Sequence, residues 1–146
     1  MKKINNILLI LGLSLLLSSF FYGDSLSLNL IEILYTVSGI LFSVGIGLVV
    51  TFKLGNVKHP TYRREIKKSV LTVRNSFFFY FAISTTIFIL CSENKDFYLS
   101  INTNFVNISL NLSFLSLITI IISMIYYITN FIALQKLNDD IENLDE

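Results

Sequence analysis

The side chains with the clearest binding chemistry are a group of cations in the middle of the chain. This group consists of Lys58, Arg63, Arg64, Lys67, Lys68 and Arg74. Cations at this density attract polyanions with strongly salt-dependent affinity, and the neighbouring His59 and Tyr62 carry rings that can stack on a base. We therefore predict a site for DNA, a nucleotide or an acidic protein. The alternative is that these cations rest near anionic lipid headgroups and only set topology.

The same segment carries an amphipathic helical pattern. Apolar side chains recur at helical spacing while the cations occupy the other faces, and the apolar set is Tyr62, Ile66, Val70, Val73 and Phe77. Pro60 suits the first position of a helix, and no helix breaker follows it. We expect a basic helix that protrudes from the membrane and continues into an apolar span.

An acidic tail offers this helix a second partner within the chain. The tail has a short helical stripe of Leu134, Leu137, Ile141 and Leu144. Its acids are Asp139, Asp140, Glu142, Asp145 and Glu146. The stripe could form a small bundle between subunits, or the acids could neutralise the basic segment until a stronger polyanion displaces them.

Two further sets of side chains lie within apolar segments. Hydroxyl and amide groups share one helical face in the last apolar segment, at Ser116, Thr119, Ser123, Tyr126 and Asn130. They are either a seam hydrogen-bonded to neighbouring helices or the lining of an oligomeric pore, in which Glu32 could add a ring of carboxylates that favours cations. Small residues recur every fourth position at Gly39, Ser43, Gly47 and Thr51, a pattern that predicts close helix packing.

No constellation of residues predicts catalysis or a cofactor. The chain has one His and one Cys, and it contains no zinc-protease motif and no glycine-rich phosphate loop. Cys91 lies at the end of an apolar segment, where we expect a packing role. We predict that the protein is not an enzyme and needs no metal.

Composition and charge distribution indicate an integral membrane protein. The 146 residues are 53% hydrophobic and 14% charged, with a mean hydropathy of +0.70. Apolar runs predict spans over about 5–22, 30–52, 76–91 and 114–134. Of the eleven lysines and arginines, all except Lys95 then fall on one side, which we predict to be cytoplasmic together with both termini. Bulky aromatics at 20–22 argue against cleavage of the first run as a signal peptide.

In the predicted outer loops, 23–29 and 92–113, apolar and polar residues alternate and do not recur at helical spacing. Leu99, Ile101 and Thr103 alternate with polar residues, as do the aliphatic residues from Val106 to Phe114. A turn at 102–104 would make these segments a hairpin, and the similar pattern at 25–30 suggests a third strand. The alternative is that the last helix simply begins near Asn104.

The predicted fold is therefore a single membrane all-α domain covering 1–146. It has four transmembrane helices and a cytoplasmic basic segment at 53–75, whose helix protrudes before the third span. A small extracytoplasmic β-sheet and an acidic cytoplasmic tail at 135–146 complete it. A chain of this size could hardly enclose an aqueous path alone, so we expect homo-oligomers.

The compact four-span pattern resembles small membrane effectors of bacterial anti-phage defence, with the membrane subunit of the Hailong system as the nearest family. The resemblance rests on size, topology, the basic segment 58–68 and residues 73–77 entering the next span. It implies a tetramer in the bacterial inner membrane, held inactive by a single-stranded DNA or nucleotide ligand from a partner nucleotidyltransferase and released to depolarise the cell.

The leading hypothesis is thus a ligand-gated membrane-disrupting pore controlled at the basic helix. The competing hypothesis is a non-conducting membrane interaction protein, such as a bacteriocin-immunity or regulatory subunit. Passage of ions through liposomes distinguishes the two.

Overall fold

Three long helices dominate the structure, a computed structural model that describes residues 12, 27–52, 59–93, 98–102 and 107–142. In chain order these are α1 (Leu28–Thr51), α2 (Pro60–Glu93) and α3 (Leu112–Glu142). Between α2 and α3 lie two strands, β1 (Tyr98–Asn102) and β2 (Asn107–Asn111). All three helices are long and apolar enough to cross a membrane. The predicted helical, membrane-like character is confirmed.

Local sequence accounts for where the helices begin. Pro60 occupies the first position of α2, where its missing N–H costs nothing, and the N–H of Arg63 donates to the carbonyl of His59 at 3.1 Å. At the start of α3, the side-chain oxygen of Asn111 accepts a hydrogen bond from the N–H of Ser113 at 2.9 Å, as a helix cap does. Strand β2 therefore ends on the residue that caps the next helix.

The two strands pair antiparallel, with Tyr98 opposite Asn111 and Asn102 opposite Asn107. This register places Leu99 opposite Leu110 and Ile101 opposite Ile108. The ladder pairs the backbone groups on the facing edges of the two strands.

The predicted fold class needs correction in its number of spans and in its sheet. Within the described residues three helices are candidate spans, not four, and the run predicted as the first span, 5–22, lies outside the described residues except for residue 12. The third strand is wrong because Leu28 and Leu30 belong to α1. Their alternation is a short stretch at the start of a 24-residue apolar helix, and helical continuity over that length outweighs it.

The helices pack through three apolar clusters stacked along the bundle. The cluster nearest the hairpin joins Ile31, Cys91 and Ile120, one residue from each helix. At the opposite end Val49, Val70 and Leu134 make a similar contact.

Between these clusters lies an aromatic layer, in which Phe77 is fully buried and its ring contacts Tyr127 edge to face at 5.0 Å. The members of the aromatic layer are Phe42, Phe77, Tyr80, Phe81, Tyr126 and Tyr127. These rings fill the middle of the bundle.

The Phe77 ring of α2 packs against α1 at Gly45. A Cβ atom at this position would overlap the ring of Phe77, whereas Cβ atoms at Gly39 and Gly47 would meet nothing within 4 Å. Since Gly45 has no side chain, the Phe77 ring lies directly against the α1 backbone. A side chain at position 45 must therefore displace this fully buried ring.

We expect Gly45→Ala to destabilise the protein by about 1–3 kcal/mol, because overpacking forces buried side chains from their preferred positions. Gly39→Ala and Gly47→Ala are matched controls, which should be neutral or stabilising by up to about 1 kcal/mol through helix propensity. Thermal unfolding of the detergent-solubilised variants measures the difference. Equal midpoints for all three would contradict the close packing at Gly45.

Candidate functional site

The basic cluster lies on an exposed face of α2. Within this helix the side chains of Arg63, Arg64, Lys67, Lys68 and Arg74 are all exposed, and at about 100° per residue they occupy a sector of roughly 140°. We call these five residues the basic face. Lys58, the sixth predicted member, lies outside the described residues.

The opposite side of the same helix segment packs against the bundle. Val70 is buried in the cluster with Val49 and Leu134, and Ile66 and Val73 contact that cluster. The predicted amphipathic pattern is therefore present, with its apolar side held by α1 and α3. The basic face is left turned away from its own protein.

Helix α2 is one uninterrupted helix of 34 residues, about 51 Å long at about 1.5 Å per residue. Helix α1, at 24 residues, is about 36 Å long, close to what a hydrocarbon core of about 30 Å requires. Beyond the cluster at Val70, α2 continues towards Pro60 for about 15 Å, and beyond Leu134 helix α3 continues for about 12 Å. The basic face begins near the membrane boundary and extends past the end of α1.

Within the described part of the chain no ion pair neutralises the basic face, although the exposed carboxylate of Glu65 lies beside it on α2, three residues before Lys68. Arg74 contacts the side-chain oxygen of Asn75 at 3.4 Å, and the other four cations have no hydrogen bond or ion pair from their side chains. Asp139 and Asp140 are exposed on α3, whereas Ile141 beside them is buried. These two acids thus lie away from the packed side of α3, and the predicted neutralisation by the tail has no support from them. Residues 143–146 lie outside the described residues.

Two exposed aromatic rings lie at the tip of α2. The rings of His59 and Tyr62 are 5.1 Å apart between centroids and tilted by 58°. The Tyr62 side chain is 62% exposed. A flat group such as a base could reach either ring beside the cations.

The polar set predicted as a pore lining is placed inside the bundle. Ser116, Thr119 and Ser123 are fully buried. The hydroxyls of Thr119 and Ser123 donate to the carbonyls of Leu115 and Thr119, four residues earlier in the same helix. Asn130 is partly buried and donates to the carbonyl of Tyr126 at 2.9 Å. The three buried side chains therefore do not face a neighbouring subunit. The hydrogen bonds of Thr119, Ser123 and Asn130 run to their own helix and not to the neighbouring helices that the predicted seam requires.

The small-residue ladder of α1 faces away from the other described helices of its own chain. Ser43, Gly47 and Thr51 are exposed and Gly39 is partly exposed, and Cβ atoms at the two glycines would meet no neighbour within 4 Å. Packing within the chain instead uses Ser38 and Gly45, which are buried on the other side of α1.

Sequence reasoning missed that this outward ladder is one part of a longer exposed face, on which polar and small residues are interspersed with the exposed Ile33, Ile40 and Val50. Asn29, Glu32 and Thr36 are also exposed and continue the ladder at spacings of three and four residues. The set Asn29, Glu32, Thr36, Gly39, Ser43, Gly47 and Thr51, here called the α1 polar stripe, spans a sector of roughly 120°. The repeated spacing was present in the sequence. What was missing was the direction in which α1 packs.

No family model matches this chain, no curated protein shows significant similarity to it, and no solved structure matches it significantly.

Membrane orientation can be checked at the basic face. In Ser69→Cys, an exposed position next to Lys68, a membrane-impermeant maleimide should react only after the membrane is opened, because cation-rich segments stay cytoplasmic. The wild-type chain is the control, since its single cysteine, Cys91, is buried and should not react in the folded protein. Reaction of Ser69→Cys in intact spheroplasts would place the basic face on the outer side.

Proposed function

We propose that this chain is a subunit of a homo-oligomeric membrane effector that binds a cytoplasmic polyanion and controls a pore. The observation that carries the proposal is the basic face: five exposed cations without acidic partners on a helix whose other side is packed into the membrane bundle. Unpaired cations in a row suit the phosphates of DNA or a nucleotide.

The length of α2 favours a soluble polyanion over lipid headgroups. Arg63 and Arg74 are eleven residues apart, which is about 16 Å along an unbroken helix. The field of an anionic membrane surface falls off within a Debye length of about 8 Å at physiological salt. Arg63 and Arg64 lie about two Debye lengths farther along α2 than Arg74 does, a reach that suits a ligand in solution.

The same helix supplies a physical connection between ligand and membrane. Arg74 is one turn away from Phe77, the buried ring that lies against Gly45. A ligand that pulls or tilts the basic half of α2 therefore acts on the aromatic layer without any intervening loop. This continuity supports control of the spans by a cytoplasmic ligand.

The α1 polar stripe is the surface best suited to line a path between subunits. Hydroxyl, amide and carboxylate groups on a spanning helix are rarely placed against lipid, and they normally face other helices or water. When several copies surround an axis with α1 inward, the glycines permit close approach and Glu32 contributes a ring of carboxylates, which favours cations. The proposed pore lining is therefore the α1 polar stripe and not the predicted α3 side chains, of which Ser116, Thr119 and Ser123 are buried.

The resemblance of the sequence to small membrane effectors of bacterial anti-phage defence suggests a biological role for the proposed assembly. In that setting the assembly is a tetramer in the bacterial inner membrane, its ligand is a DNA made by a partner nucleotidyltransferase, and its release depolarises an infected cell. The basic face and the α1 polar stripe supply compatible parts for this role.

A non-conducting interaction subunit is the second candidate. It is favoured by the burial of Ser116, Thr119 and Ser123 inside a single chain, which leaves α3 no hydroxyl-lined surface from this set for a conduit. On this alternative the basic face holds an acidic protein partner, and the α1 polar stripe is a docking surface for a helix.

Replacement of four cations tests the ligand site. We expect Arg63→Gln/Arg64→Gln/Lys67→Gln/Lys68→Gln to lose binding of a single-stranded DNA oligonucleotide. The slope of log affinity against log salt should fall by about 3 for four lost phosphate contacts. Binding by the purified, membrane-inserted protein measures both. Arg63→Lys/Arg64→Lys is the charge-matched control and should keep most of the affinity.

Potassium and chloride fluxes from liposomes carrying the same proteins then separate the two candidates. Potassium flux that responds to the oligonucleotide in wild type but not in the quadruple variant supports the pore. Retained binding in that variant would exclude the basic face as the site. If no potassium or chloride leaves the liposomes under any ligand condition, the result favours the non-conducting subunit.

Assembly through the α1 polar stripe predicts that bulk on this surface dissociates the oligomer. Gly39→Leu/Gly47→Leu should give a smaller particle at unchanged monomer stability, because neither position contacts its own chain. Ala82→Leu, which adds similar bulk at an exposed site on α2, is the control and should keep wild-type size. The mass of the particle in detergent measures the oligomeric state. If the double variant has the same mass as the wild type, the subunit interface does not lie on the α1 polar stripe.

A further inference from the structure

The apolar half of α2 carries a groove that the proposed function does not use. It is lined by Phe79, Ala82, Ile83, Thr86 and Ile87 and has a volume of about 490 Å³, a size typical of ligand sites. Ala82 and Thr86 are small and exposed, and the Thr86 hydroxyl donates to the carbonyl of Ala82 at 2.8 Å. The groove therefore offers an apolar surface, which suits an acyl chain.

The groove continues one face of α2 that begins in its basic half. Residues on this face recur at alternating spacings of four and three, so they lie within a sector of roughly 80°. They are Lys68, Thr72, Asn75, Phe79, Ala82 and Thr86. The face is polar from Lys68 to Asn75 and mainly apolar from Phe79 onward, which is the order in which a lipid presents its headgroup and its acyl chains.

Arg74 is the cation of the basic face nearest the groove, five residues or about 7.5 Å before Phe79. Its Nε and Nη2 atoms each lie 3.4 Å from Oδ1 of Asn75, so the guanidinium leans towards the polar end of this face. Arg74 also lies between the Val70 cluster and the aromatic layer. A cation at that depth is stabilised by a bound anion, because a charge beside hydrocarbon is costly unless it is paired.

The surroundings of Arg74 on α2 favour an anionic headgroup over a zwitterionic one. Between Glu65 and Glu93 the sequence has no acid, so this part of the helix offers no carboxylate to choline or ethanolamine. A guanidinium binds phosphate through two parallel N–H donors. Ile83, in the middle of the groove, is nine residues or about 13.5 Å from Arg74, close to half of a hydrocarbon core of about 30 Å. One acyl chain covers that distance.

We propose that Arg74, Asn75 and the groove form a binding site for one anionic phospholipid. The guanidinium and the side-chain amide of Asn75 donate to the phosphate, and one acyl chain lies along the groove. The outer cations, from Arg63 to Lys68, stay available to a ligand in solution, so the lipid site stands whether or not they bind one.

Tryptophan fluorescence tests the site, because the chain contains no tryptophan of its own. Ile83→Trp places a reporter in the groove, and Ile125→Trp places a control reporter at an exposed position on α3, beside the aromatic layer. In phosphatidylcholine bilayers, brominated phosphatidylglycerol should bind at Ile83→Trp about fivefold more tightly than brominated phosphatidylcholine, the factor that one cation close to an anionic lipid contributes. Ile125→Trp should show no preference.

Substitutions at the two ends of the basic face then identify the headgroup contact. In the Ile83→Trp background, Arg74→Gln should abolish the preference and Arg74→Lys should keep most of it. Arg63→Gln, about 16 Å farther along the helix, should leave the preference unchanged. Ile87→Trp, one turn along the groove, repeats each measurement with Ile83 in place.

Equal quenching by the two lipids in the groove would overturn the site, and so would an equal preference at Ile125→Trp. A preference that survives Arg74→Gln would overturn the headgroup contact, and loss in Arg63→Gln as well would identify attraction to the whole basic face instead. Groove reporters that neither lipid quenches would also overturn the site, because another part of the protein must then cover the groove.

Discussion

The cost of placing a polar group against hydrocarbon governs how this chain arranges its hydrophilic side chains. Four of the five cations of the basic face lie before Val70, and Arg74 is exposed between the Val70 cluster and the aromatic layer. Most hydroxyls on the spans donate to their own helix carbonyls. The hydroxyl of Thr36, for example, donates to Glu32 at 2.9 Å, and that of Thr51 donates to Gly47 at 3.0 Å. Each helix thus crosses with few unmet hydrogen bonds. What remains exposed and polar then marks where a partner belongs.

Close packing holds the three helices together, and hydrogen bonds add to it. Those between helices include the bond of Tyr35 with Thr85 at 2.8 Å and the bond of Cys91 with Ser113 at 3.6 Å. The aromatic layer contributes stacked rings, with Phe42 and Phe81 at 4.2 Å. Because lipid tails are as apolar as these rings, close fit at Gly45 matters more than burial as such. Helices held in this way can shift relative to one another without breaking a network.

Periodicity predicted the existence of the helices and their apolar sides, but not their neighbours. Pro60 as the first residue of α2, and Val70 and Val73 as its packing side, follow from local rules that depend on one helix alone. The directions of the α1 ladder and the α3 hydroxyls depend on which faces meet. Gly39 and Gly45 look alike in sequence, and only the position of the Phe77 ring distinguishes them. The alternation at 25–30 wrongly predicted a strand, because so few residues fit the two-residue period of a strand and the 3.6-residue period of a helix equally well.

The junction between the hairpin and α3 contains no linker. Asn111 is the last residue of β2 and also caps α3, whose first residue is Leu112. The chain thus changes from strand to helix between two consecutive residues, and the Asn111 cap on the Ser113 N–H fixes the direction in which the hairpin leaves α3.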